Sequence, residues 1–139
     1  MAQVANLFRA KKRRTPMEEL QEATVVTNVG FEGCAHARPG GKRQALLVDQ
    51  ETLQSMRLAP GIIRENVTTE GLAVKDLQIG QKLQVGAVEL EVRLVCEPCD
   101  ELEKVRPGLK ETLLGKRGML CQVLRGGIIR RGDTIQILS

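Results

Sequence analysis

The stretch Val88-Glu89-Leu90-Glu91-Val92-Arg93-Leu94 makes every second side chain apolar and every other one charged, the period of an extended strand with one face in a core and the other in water. Ahead of it, Leu83 and Val85 keep the same period up to Gly86-Ala87, so residues 82–95 are expected to fold back as a hairpin turning near that glycine. Working outward, residues 4–8, 24–28, 44–48, 67–69 and 122–124 read as further strands, and Ile135 with Ile137, after Gly132-Asp133, as a short closing one. Helical signals are few. Asp49 can cap a helix over residues 50–56; Pro98 can sit in the first turn of one running through Leu102–Val105; after Pro107-Gly108 another covers residues 109–114. A mainly β chain with 14 glycines as punctuation and no strand–helix alternation is expected to form a small barrel or sandwich.

The chain has 139 residues, of which 42% are hydrophobic and 27% charged, which fits one globular domain over residues 1–139. Phe8 and Phe31 are the only aromatic residues, so no platform for stacking bases exists and nucleic acid is not an expected partner. No apolar run approaches the ~20 residues of a membrane-spanning helix. The first ten residues lack a basic segment followed by an apolar one, and Lys11-Lys12-Arg13-Arg14 falls where the apolar stretch of a leader would continue. A cytoplasmic protein is therefore expected, its four cysteines serving as thiols, thiolates or metal ligands in place of structural bridges. The net charge of +4 is uneven: basic groups prevail in residues 1–64 and 111–139, acidic ones between them. If the two ends meet in the fold, they make a positive surface suited to an anionic ligand.

Two segments carry chemistry. Cys96-Glu97-Pro98-Cys99 follows the strand and is expected to place Cys99 in the first turn of a helix, where backbone N–H groups favour a thiolate; neighbouring Asp100, Glu101 and Glu103 oppose that. Three readings stay open at this point: a dithiol redox pair, a zinc site made of Cys34, His36, Cys96 and Cys99, or a single soft ligand or sulfur-bearing thiol beside an anion site. The second segment, residues 30–44, sets glycines among His36, Arg38, Lys42 and Arg43, which suits a phosphate but matches neither nucleotide-binding glycine pattern. A plain hairpin loop is the alternative.

A series of motifs runs Gly30-Phe31-Glu32-Gly33 with His36, Arg43-Gln44, Pro60-Gly61, Arg64-Glu65-Asn66-Val67, Gly71-Leu72, Leu77 with Ile79-Gly80, and Gly86. It continues through Glu97-Pro98-Cys99, Arg117-Gly118, Gly126-Gly127-Ile128 and Gly132-Asp133, so nearly the whole chain takes part. The order of these motifs resembles the MOSC domain family. The resemblance implies a distorted, mainly β barrel with a few short helices, a molybdopterin-type cofactor, and a cysteine, here Cys99, acting as molybdenum ligand or persulfide carrier. It also implies that His36, Arg43, Arg64, Asn66 and Arg117 meet the cofactor. Where the family usually has Gly-Asp before an Arg-His pair, this chain has Gly33-Cys34-Ala35-His36. With no desulfurase, iron–sulfur or flavin module beside it, the domain reads as a carrier or binding module without a complete active site of its own. The partner it implies is a molybdenum-cofactor biosynthesis enzyme or a client molybdoenzyme. The small zinc or dithiol protein built on Cys34, His36, Cys96 and Cys99 is the alternative.

Overall fold

The expected hairpin is present, and the rest of the sheet is assembled on it. In a computed structural model, which describes residues 2–138, strands β1 (Gln3–Arg9), β2 (Glu18–Leu20), β3 (Glu22–Val26), β4 (Gly30–Phe31) and β5 (Ala45–Asp49) occupy the first third. Then follow α1 (Gln50–Ser55), β6 (Val67–Glu70), a single 3-10 turn (Val74–Asp76), β7 (Lys82–Val85) and β8 (Val88–Val95). Two short helices, α2 (Leu102–Val105) and α3 (Leu109–Thr112), precede β9 (Met119–Arg125), β10 (Gly127–Arg130) and β11 (Ile135–Ile137). The strands form an eight-stranded sheet in the order β11-β7-β8-β9-β5-β6-β1-β2 and a three-stranded sheet in the order β10-β3-β4.

This mainly β architecture corrects the expected distorted barrel: the eight-stranded ladder has two free ends, β11 and β2, and among the described residues no sheet closes on itself. The ends do approach. Gln3 forms an isolated bridge with Thr134, Val4 N–H donates to the Asp133 carbonyl at 2.9 Å, and Ile135 N–H donates to that of Ala2 at 2.9 Å. The ladder stops there because the outer edge of β1 is shared. Its later half pairs with β2 from Leu7↔Leu20 to Arg9↔Glu18, leaving only its first residues for the β11 side. Three short strands lacked a sequence signal: β2 (Glu-Glu-Leu), β4 (Gly-Phe) and β10 (Gly-Ile-Ile-Arg) show no alternation of apolar and polar side chains.

Strand β5 runs through the middle, pairs in parallel with β6 and antiparallel with β9, and is buried along its whole length. Ala45 and Leu47 point to a core shared with Leu7, Val67, Val85, Leu90, Val92, Cys121 and Val123. Val48, from the opposite face, packs with Leu53 of α1, Ile63, and Leu102, Leu109 and Leu113 of the α2–α3 segment. The helix after β5 starts as expected, because Asp49 Oδ2 accepts from Thr52 N–H at 3.0 Å and from the Thr52 hydroxyl at 2.7 Å. Among the described residues no helix is long and apolar enough to cross a membrane.

Candidate functional site

A register slip in the deciding strand shapes the site. Val92 pairs with Cys121, but Leu94 pairs with Leu120, so the ladder gains a residue on β8 between them. Before the slip Val88, Leu90 and Val92 face the core. After it Leu94 lies opposite Leu120, which in turn lies opposite Leu46 of β5. These three leucines belong to the face away from the core and line one cavity of about 1130 Å³. Strict alternation would have kept Leu94 in the core, and only the bulge re-aims it.

The walls of this cavity are cationic. Arg13, Arg14, Arg38, Lys42, Arg43, Arg64 and Arg117 line it, with Glu101 the single carboxylate among the lining residues. The basic first segment and the basic last segment do meet, as their charge pattern required for a positive surface. His36, Cys96 and Cys99 line the same cavity. Of the residues implied by the resemblance, His36, Arg43, Arg64, Arg117 and Cys99 are thus brought together.

Arg117 is the least ordinary of them. It is 7% exposed, and among the described residues its buried Nε and Nη1 have no hydrogen-bond partner. A buried guanidinium in that state loses hydration without recovering it, unless a ligand supplies acceptors. Its position follows from Gly118, whose φ of +121° suits glycine and whose added Cβ would collide with the Leu47 carbonyl oxygen. The Gly118 carbonyl also accepts Cys96 N–H at 2.9 Å, tying the cysteine segment to the Arg117 backbone. Glu65, fully buried nearby, accepts from Gly61 N–H at 2.8 Å and Thr68 Oγ1 at 2.7 Å through one oxygen, while its Oε1 has no partner among the described residues. Burial raises its carboxyl above the ordinary value, against the hydrogen bonds from Gly61 and Thr68 and the charge of Arg117.

Asn66 stands outside the cavity lining. Its Oδ1 accepts Leu46 N–H at 3.0 Å, and its Nδ2 donates to the Phe8 carbonyl at 3.2 Å and to Cys34 Sγ at 3.4 Å. It is completely buried and locks β5 to β1. Arg64 lines the cavity, yet its guanidinium donates to the carbonyls of Thr15 and, at 3.4 Å, of Lys12. Its backbone is left-handed, with φ +69°, an uncommon conformation for a side-chain-bearing residue.

The cysteines divide by environment. Cys99 is exposed, but it precedes α2 instead of occupying its first turn: the helix begins at Leu102, whose N–H donates to the Cys99 carbonyl at 3.1 Å. The expected help from a helix end therefore lapses, since Asp100 and Glu101 form a turn ahead of a helix only four residues long. Burial pushes the Cys96 thiol up, opposed by the charges of Arg117 and Arg43. Burial alone pushes Cys121 up to about 12, and its side chain lies in the core. Cys34 goes the other way. Burial would raise it, but hydrogen bonds from the His36 side chain, from the N–H groups of Ala10 and His36 and from the Asn66 amide outweigh that and bring it down to about 7. This polarised thiol was not read in the sequence; the only signal was its spacing from His36. Among the described residues no three His, Cys, Asp or Glu side chains converge to hold a metal ion, which removes the geometry of the alternative zinc site.

The loop of residues 30–44 is a fixed wall. Gln44, fully buried, donates to the Arg38 carbonyl at 3.0 Å and accepts Val123 N–H at 2.9 Å, while Arg38 N–H donates to the Val29 carbonyl and Gly40 N–H to that of Asn28, both at 2.9 Å.

A family model described as the MOSC domain matches residues 42–136. No curated protein sequence matches the chain. Among solved structures, the YuaD protein from Bacillus subtilis superposes with a TM-score of 0.80 at 20% identity, covering 98% of this chain and 94% of that one. YiiM from Geobacillus stearothermophilus gives 0.81 at 18% identity, over 100% of this chain and 76% of that one. YiiM from Escherichia coli gives 0.73 at 19% identity, over 100% and 70%. At these identities the likeness is one of fold.

Proposed function

The chain belongs to the MOSC domain family, and from that premise we propose that its cationic cavity binds a molybdenum cofactor of the molybdopterin type, with Cys99 as metal ligand or sulfur carrier. The family as a whole is associated with this cofactor. The observation that carries the reading is Arg117, a buried guanidinium with two unpartnered nitrogens, in the cavity whose lining also includes Cys99.

The donor set fits the group. Arg117 and Arg43 can give charge-assisted hydrogen bonds to a phosphate, and His36 and the backbone around Gly40 and Gly41 supply further polar contacts on the same wall. Leu46, Leu94 and Leu120 give a flat ring system an apolar surface. When bound, such a cofactor supplies a metal held by dithiolene sulfurs, a centre that accepts a further soft ligand. Cys99 provides the thiol for it, or for a persulfide. Arg117 would hold anionic charge where water is excluded, while Arg64, occupied by the carbonyls of Lys12 and Thr15, shapes the wall.

With Cys99 exposed at the cavity and Cys96 partly buried beside it, the domain would hold and hand over its group as a carrier or binding module. Its partner would be an enzyme of cofactor synthesis or a client molybdoenzyme. The test is titration of the apoprotein with molybdopterin, together with mass spectrometry of Cys99 after exposure to a sulfane-sulfur donor. We expect molybdopterin binding in the wild type that Arg117→Met weakens, and a persulfide on Cys99 that Cys99→Ser cannot form; a wild type that takes up neither cofactor nor sulfur ends the reading.

A further inference from the structure

The basic run that opens the chain is not explained by cofactor binding. Residues 10–17 form the strap between β1 and β2, and this strap is pinned to the cavity mouth. Arg64 donates to the carbonyls of Lys12 and Thr15, Ala35 N–H donates to that of Ala10 at 2.6 Å, and Lys11 pairs with Glu18 at 2.9 Å. Held in this way, Lys12, Arg13 and Arg14 are exposed, as are Arg38, Lys42 and Arg43 along the adjoining loop. Among the described residues none of these six has a carboxylate partner. Glu101, the single acid in the lining, is already paired with Lys104 at 3.2 Å. The same cavity lining includes two exposed aliphatic side chains, Ile62 at 45% and Val105 at 39%.

We propose that this mouth is a docking surface for an acidic protein segment carrying an aliphatic side chain, with the carboxylates on the Arg13–Arg14 strap and the aliphatic group on Ile62 and Val105. The proposal rests on the carrier reading in one respect: a group held at the mouth by Cys99 leaves or arrives through a partner that reaches this rim. A protein is favoured over nucleic acid by two observations. Both aromatic rings are buried, Phe31 at 0% and Phe8 at 5%, so no base can stack on them, and an aliphatic ledge beside the cations has no counterpart on a phosphate backbone. Like-signed charges held in place without counterions steer an oppositely charged partner, and an apolar contact next to them holds it.

The test uses the full chain and fluorescence anisotropy with a labelled peptide of repeated Glu-Glu-Leu triplets, the same peptide with Ser for Leu, and oligodeoxythymidine of matched length. The expected result is that the Leu peptide binds best and that the double variant Arg13→Glu/Arg14→Glu weakens it by about tenfold or more. Ile62→Ser should erase the preference for the Leu peptide over the Ser peptide. All three positions are exposed or half-exposed, and a thermal melt checks that the variants remain folded. Oligodeoxythymidine binding as tightly as the Leu peptide would overturn the proposal in favour of nucleic acid. So would an unchanged affinity in the double variant, or no peptide binding by the wild type. A wild type that binds the peptide but takes neither cofactor nor sulfur ends the carrier reading alone; the reverse pair of results overturns the docking surface alone.

Discussion

The two faces of β5 and its neighbours use similar leucines for different ends. On one face Leu47 and Leu90 are sealed among Val67, Val85 and Val123. On the other, Leu46, Leu94 and Leu120 border a cavity walled by arginines. All five leucines lie within strands of the eight-stranded sheet, so strand formation itself does not separate core from site. What separates them is the parity of each position within its strand, and in β8 the slip between Val92 and Leu94 changes that parity. A functional face can thus be made from the same residue types as the core, provided that no element is laid over it.

The largest effect should come from the sealed side. Leu47→Ala leaves a closed cavity at a position 0% exposed and is expected to lower the unfolding free energy by about 3 kcal/mol, read from urea denaturation. Next comes the charge at the cavity wall. Arg117→Met should weaken molybdopterin binding by about a hundredfold, because the buried hydrogen bonds to an anion are lost, while stability should fall by only about 1 kcal/mol, because the desolvation cost of the guanidinium is relieved but the buried Glu65 carboxyl loses the charge that opposes its raised pKa. Comparing a binding titration with a denaturation curve on the same protein checks both halves, and a loss of stability as large as that of Leu47→Ala would make Arg117 a structural residue. Leu46→Ala, although 4% exposed, widens a space already open to solvent and should cost only about 1 kcal/mol. If it matched Leu47→Ala, the contrast between the faces would fail.

A pH-dependent effect belongs to Cys34, at the junction of the two regions. Its folded pKa, near 7, lies below the ordinary thiol value of 9.0, so its ionisation stabilises the native state fully above pH 9 and stops doing so as pH falls towards 7. Stability measured from pH 7 to pH 9 should therefore rise more in the wild type than in Cys34→Ser. The difference in thiolate absorbance between the two proteins should have its midpoint near pH 7. Coincident pH profiles would show that His36 and Asn66 do not polarise the sulfur.

Much of this was legible in the chain. The hairpin of β7 and β8 followed from alternation, because a half-buried strand needs only its own side chains to announce it. Asp49 announced its helix in the same local way, through a cap bond spanning three residues. The gathering of His36, Arg43, Arg64, Arg117 and Cys99 at one cavity followed from the resemblance, and the charge pattern was consistent with it. The roles of Asn66 and Arg64 were not legible. Their hydrogen bonds go to backbone carbonyls and amides 20 to 58 residues away, and the sequence holds no mark of which carbonyl an amide or guanidinium will meet. The expected barrel was not borne out, since closure depends on how the edge of β1 is divided between β2 and the residues before β11, which the sequence does not mark.

By itself, then, the sequence determined the strand period, the short capped helix, the unevenness of charge and the membership of a family, all of which are properties of neighbours along the chain or of their order. Only the tertiary structure decided which leucines left the core, which arginine stayed without a partner and which cysteine became polarised. Those outcomes depend on burial and on hydrogen-bond partners far apart in the chain, and both are set when the two ends of the chain pack against one sheet.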